Sequence, residues 1–217
     1  MVYNKKDFNR HINTIIPKSF SQVKTYCMFQ KKIDDRMEII YFPHRDYFPH
    51  GVYMEGVSVE ITFPKVENVL RSVFYKYNIQ QKYNNSTVHT ALNNIKDINY
   101  LKFETEIHDD ASFQVVAEEV KKIVEYGAIP FFEKYQTLEE VHNYAMSLQV
   151  DDYPNFFLGD GPFKLMIIKK IIKQNDYEDY ANKMVEVWTK NAIEYPQYFK
   201  DYDKIVVELK KTLDTVV

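Results

Sequence analysis

The stretch DDASFQVVAEEVKKIVEYGAIPFFEKY, residues 109–135, divides the chain. Before it the sequence reads mostly as strands, and after it almost entirely as helices. Asp109 and Asp110 stand where an N-cap belongs, and Gly127 stands where a left-handed stop belongs. Between them Phe113, Val116, Val120, Ile123 and Val124 recur at helical spacing, with Glu118, Glu119, Lys121 and Lys122 on the other arc. Acids come first and lysines last, which suits the helix dipole. Such a helix can cover the sheet before it and give the later helices a surface to pack on.

Upstream, the spacing of Phe8 and Ile12 predicts a first helix over 5–16, ended by Pro17. Residues 23–33 and 37–42 have strand composition and flank Asp34-Asp35, the signature of a hairpin. The segment 43–51 reads as a loop. Val57, Val59, Ile61 and Phe63 alternate with Ser58, Glu60 and Thr62, which predicts a strand with one buried and one wet face. Pro64 opens a helix carrying Val66, Val69, Leu70, Val73 and Phe74. Residues 87–92 read as a short strand, and residues 100–107 as another, because Leu101, Phe103, Thr105 and Ile107 alternate with Lys102, Glu104 and Glu106.

Downstream, Thr137 and Glu140 form a capping box. Residues 151–162 read as a loop, and Pro162 suits the first turn of the next helix. That helix carries Leu165, Ile167, Ile168, Ile171 and Ile172 and is expected to be the most buried. Asp176 is expected to cap another helix, with Tyr180, Met184, Val187 and Trp188 facing inward. Past Pro196, the residues Tyr198, Tyr202, Ile205, Val206, Leu209 and Leu213 predict a last helix. The expected fold class is α+β, an antiparallel sheet of about four or five strands followed by a helical half. The expected division is a mostly β lobe over 1–110, with an N-terminal helix, and an all-helical lobe over 111–217, joined as one continuous structure.

Composition narrows the function. The net charge is −3, with 15 basic and 13 acidic residues through Asp110 and 13 and 18 after it, so no general nucleic-acid binder is expected. The lone Cys27 excludes an internal disulfide and a multi-cysteine zinc site. The start of the chain lacks an apolar signal core, and no apolar run reaches membrane-helix length, so the expectation is a cytoplasmic protein without membrane contact. The 18 Tyr and 15 Phe suit a core, or a Tyr-rich binding face.

Two local features carry chemistry. The tetrapeptide Tyr41-Phe42-Pro43-His44 recurs as Tyr47-Phe48-Pro49-His50 around Arg45-Asp46. As a stiff aromatic loop, its Tyr41, Phe42, His44, Tyr47, Phe48 and His50 are candidates for binding. Its His44, Asp46 and His50 are ordinary metal-ligand types, which His108, Asp109 and Asp110 could complete, although the spacing matches no familiar metal motif and no metal is expected. Gly159-Asp160-Gly161 before a helix with Lys164 in its first turn could receive an anion, but lacks the longer phosphate-loop pattern. Asp34-Asp35, Asp109-Asp110 and Asp151-Asp152 fall at turns and helix starts, where Asp bonds to backbone. His11, His89 and His142 lie in ordinary helix or strand patterns. No hydrolase elbow, zincin, Walker or dinucleotide motif is present, and no catalytic residue and no cofactor is assigned.

The phrase Pro130-Phe131-Phe132-Glu133-Lys134-Tyr135 before a capped Leu138-Glu139-Glu140 helix resembles uncharacterised bacterial α+β domains. Some of these are suspected immunity proteins for polymorphic toxins. The resemblance covers the middle half of the chain and implies no site residues. It favours a non-enzymatic protein-binding module, an immunity-type or accessory protein with a protein partner. The alternatives are a metal-dependent hydrolase centred on 41–50 and a small-molecule-binding sensor.

Overall fold

A computed structural model describes residues 3–23, 27–47, 51–79, 86–91 and 106–216. The fold class is α+β: a five-stranded antiparallel sheet in the N-terminal half and helices mostly in the C-terminal half. The chain forms two compact units that interleave in sequence, 1–61 with 89–135 and 62–88 with 136–217. A boundary at 110 does not appear, because the segment 62–88 belongs with the later helices.

In the first unit, α1 (Lys5–Ile15) starts at Asn4, whose side chain accepts from the Lys6 and Asp7 amides. Phe8 and Ile12 are its buried stripe. The strands are β1 (Ser21–Val23), β2 (Met28–Ile33), β3 (Arg36–Tyr41), β6 (Ser58–Thr62) and β7 (Val88–Ala91), in the sheet order β1-β2-β3-β6-β7. The Asp34-Asp35 turn fixes the β2–β3 register at Ile33 opposite Arg36 and Phe29 opposite Ile40. Asp34 takes φ of 44°, which Asp tolerates better than most side chains.

Two strand expectations need correction. The segment read as a loop is instead a two-stranded ribbon, β4 (His44–Tyr47) with β5 (Gly51–Met54). Nor does β6 have a wet face: Glu60 and Thr62 are buried alongside Val59 and Ile61. Glu60 accepts from Ser58 at 3.1 Å, and Thr62 donates to Ser86 Oγ at 3.3 Å. The expected strand over 100–107 lies outside the described residues up to 105. Its end, Ile107, is antiparallel to Val52, with hydrogen bonds of 2.9 and 3.0 Å in the two directions.

The dividing helix also differs from its reading. α3 (Asp110–Ile123) is capped by Asp109, which accepts from the Ser112 amide, while Ser112 Oγ accepts from the Asp109 amide. Gly127 does not stop it. The chain widens into a π turn, Val124–Ala128, and continues as α4 (Ile129–Lys134). Pro130 has no N–H and its ring would crowd an ordinary helical turn. The π turn moves the Ile129 N–H to the Val124 carbonyl, and the wider ring absorbs the proline without ending the helical path.

The second unit contains α2 (Pro64–Lys76), α5 (Leu138–Ala145), a 3-10 turn (Val150–Asn155), α6 (Gly161–Ile171), α7 (Tyr177–Glu194), α8 (Pro196–Phe199) and α9 (Tyr202–Val216). The Thr137–Glu140 capping box is present at the head of α5. α6 is buried nearly throughout, from Phe163 to Lys169. Asp176 stands at the N-cap position of α7 but makes no capping bond. The last helix begins at Tyr202, because Asp201 adopts φ of 64° and separates α8 from α9.

Gly51 lies so close to Ile107 that a Cβ there would meet the Ile107 carbonyl oxygen at 2.4 Å. Gly51→Ala is therefore expected to push apart the Val52–Ile107 pairing and lower stability by about 1–3 kcal/mol. Thermal denaturation followed by circular dichroism checks this; an unchanged midpoint would show that the ribbon does not sit against Ile107.

Candidate functional site

The first copy of the tetrapeptide, Tyr41 to His44, is used largely for packing. Phe42 is fully buried, lies 6.0 Å edge-on to Phe29, and donates its amide to the Cys27 carbonyl at 2.9 Å. Phe42 therefore leaves the set of binding candidates, since its ring does not reach the surface. His44 is half-buried, with its ring 4.9 Å from Phe8 and its Nδ1 2.9 Å from the Phe42 carbonyl. Asp46 pairs with Lys5 at 3.3 Å, and Arg45 pairs with Glu55 at 2.6 Å. Positions 44 and 46 share one face of β4, and both contact α1. Tyr41 is half-buried at the end of β3, and Tyr47 pairs with Gly51 through the β4 backbone. Phe48 and His50 lie outside the described residues. Among the described residues no three His, Cys, Asp or Glu side chains converge as a metal site. Cys27 is buried, and burial pushes its thiol up to about 12.

His108, Asp109 and Asp110 line a different feature, an open cleft of about 420 Å³ shared with Tyr3, Asp7 and Arg10. His11 adjoins it: Tyr3 Oη is 3.0 Å from His11 Nδ1, and Asp110 Oδ1 is 3.5 Å from His11 Nε2. Burial, with Asp7 and Asp110 nearby, raises the Tyr3 phenol well above its ordinary value, so it stays protonated. Asp109 is committed to capping Ser112 and Asp7 to Arg10 at 3.1 Å. Nothing in sequence spacing could have placed Asp110 beside His11, because the contact joins helices separated by the whole sheet.

Lys164 does not offer its charge to an anion. It is 1% exposed, and its ammonium donates to the Ser86 carbonyl at 2.7 Å and the Leu158 carbonyl at 2.6 Å, with Glu67 Oε1 at 3.1 Å. Three N–H donors meet three acceptors. Glu67 Oε1 also accepts from Thr87 at 2.9 Å, while Thr87 Oγ1 accepts the Phe63 amide at 2.9 Å. Glu67 Oε2 is buried without a partner, and burial outweighs the pull of Lys164 and Thr87 to push this carboxyl upward. Asp160 is raised in the same way and accepts from Tyr202 Oη at 3.4 Å.

The feature open to a large partner is aromatic. Fully buried Phe163 stacks 5.2 Å from Trp188 and 5.9 Å from Tyr202. Trp188 in turn lies 5.3 Å from Phe199, and Phe199 lies 6.4 Å from Tyr198. The cluster runs from the interior to the surface, ending at Tyr198, which is 72% exposed. Ile193, in the last turn of α7, and Tyr195, between α7 and α8, are also exposed, at 75% and 48%. Trp188 was expected to be buried against its helix neighbours. It is half-buried, Val187 is exposed, and Trp188 Nε1 has no hydrogen-bond partner. Pro196 follows the end of α7 and opens the single turn of α8, whose Phe199 covers part of the Trp188 ring. Exposed isoleucine and tyrosines on a rigid aromatic base are the residue types that concentrate binding energy.

No protein-family model, no curated protein and no solved structure matches this chain. The site therefore rests on its own geometry. Removing the Lys164 ammonium would leave the Glu67 carboxylate buried without its countercharge and take a donor from two carbonyls. Lys164→Ala is expected to cost about 3–5 kcal/mol, and Glu67→Gln much less, since the amide can still accept from Thr87. Urea denaturation of both variants checks this; equal losses would place Lys164 in water.

Proposed function

We propose that the protein is a non-enzymatic, cytoplasmic protein-binding module that engages its partner through the aromatic turn between α7 and α8. An immunity-type or accessory role is the form that fits the sequence resemblance. The observation that carries the reading is the outer end of the aromatic cluster, where Tyr198 is exposed, with exposed Ile193 and Tyr195 close before it in the chain. The Tyr198 ring meets Phe199 edge-on, and Phe199 in turn meets Trp188 and Tyr202, so little conformational freedom is lost there on binding. Large apolar side chains grouped on a surface mark interaction sites more often than scattered ones do. No described helix is long and apolar enough to cross a membrane.

The test compares wild type with Ile193→Ser plus Tyr198→Ser. A partner captured from the native host is identified, purified and titrated against both proteins. The double variant should bind at least about tenfold more weakly, while its melting temperature stays close to wild type, as exposed substitutions usually do. Equal affinities for the two proteins would remove this face from the interaction.

A further inference from the structure

His142 on α5 is buried, and its Nε2 has no hydrogen-bond partner. Its Nδ1 lies 3.4 Å from Asn143 Oδ1. α6 packs against both α5 and α7. From α6 comes Lys169, which is 0% exposed. Its ammonium holds both carboxylate oxygens of Asp176, at 2.9 and 2.7 Å, and lies 5.4 Å above the Tyr180 ring. Asp176 heads α7, and this ion pair replaces the capping bond that its position would otherwise allow. Lys169 and Asp176 are the charged groups that act on His142, with Asn143 as the polar neighbour on its own helix.

We propose that His142 is an acid-sensitive latch: as a buried neutral imidazole it lets α5 pack on α6 at neutral pH, and its protonation on mild acidification loosens that packing. The neutral imidazole fits its site, because one nitrogen meets Asn143 and the other can remain a bare acceptor. The imidazolium carries two N–H donors, and Nε2 has nothing to donate to. Lys169, whose acid partner Asp176 is already engaged at both oxygens, also disfavours the cation. Burial lowers the His142 pKa from 6.5, and Lys169 acts in the same direction, against smaller opposing effects of Asn143 and Asp176. The sign follows from linkage. Above about pH 6.5 the imidazole is neutral whether the chain is folded or not. As pH falls below that value the unfolded chain gains a proton that the folded chain refuses, so stability falls until His142 itself is protonated.

The single tryptophan, Trp188, lies on α7 and reports on this unit. Melting of the full chain is followed by its fluorescence at pH 7.5 and 5.5, for wild type and His142→Gln. The wild-type midpoint should fall by at least about 4 °C more than that of the variant. Hydrogen exchange, corrected for its intrinsic pH dependence, should show α5 losing protection at pH 5.5 while α9 keeps it. Equal midpoint shifts in the two proteins, or unchanged protection of α5, would overturn the latch. If His142→Gln does not fold, the ring resonances of His142 in wild type decide. Titration below the ordinary histidine range supports the latch, and titration within or above that range overturns it.

Discussion

A lysine ammonium can lie inside a protein only where acceptors replace the water it leaves. α6 carries two such lysines, Lys164 and Lys169, on a largely apolar helix, and the second unit is arranged around them. Lys164 takes its acceptors from Ser86, Leu158 and Glu67, three separate stretches of chain. That requirement fixes α2 and the lead into β7 relative to α6. Lys169 is met by Asp176 and by the face of Tyr180, which sets the start of α7. The gain in net stability from such pairs is small, because desolvation offsets the attraction. Their effect is to exclude other arrangements, since any shift of α6 strands a charge. The first unit obeys the same rule on a smaller scale: buried Glu38 is held by Arg36 at 2.6 Å and Lys31 at 3.6 Å.

Once α6 is fixed, the aromatic cluster follows from it. Phe163 is its inner end, placed one turn into α6 and fully buried. Trp188 and Tyr202 close over it from α7 and α9, and Phe199 and Tyr198 extend it outward. The turn at Pro196 exposes the outer members because four residues of α8 are too few to cover them. The binding proposal therefore depends on buried polar contacts far from the exposed surface.

What was legible in the sequence was local. The Asp109 cap, the Thr137–Glu140 box, the prolines opening α2 and α6, and the Asp34-Asp35 hairpin each rest on a few adjacent residues. What misled was decided by distant chain. Gly127 looked like a helix stop, yet Pro130 three residues later induced a π turn instead. Residues 43–51 read as a loop, while the ribbon of β4 and β5 is met by Ile107 and α1. Glu60 and Thr62 looked solvent-facing because alternation records polarity and not what lies above a strand. Lys164 looked like an anion ligand because its three acceptors are remote or hidden in backbone carbonyls. The aromatic turn was missed because Trp188 and its helical neighbours suggested a covered face, and only the fold shows α8 lying across part of it.

The most direct test of a protein-binding role places a photo-reactive amino acid at Tyr198, with a second protein carrying it at Val207 of α9, which is also exposed, as control. Both are irradiated in the native host, and covalent adducts are resolved by mass. The account predicts one discrete adduct from position 198 and none from position 207. Adducts from 207 alone, or no discrete adduct from 198 when the protein is abundant and folded, would contradict it.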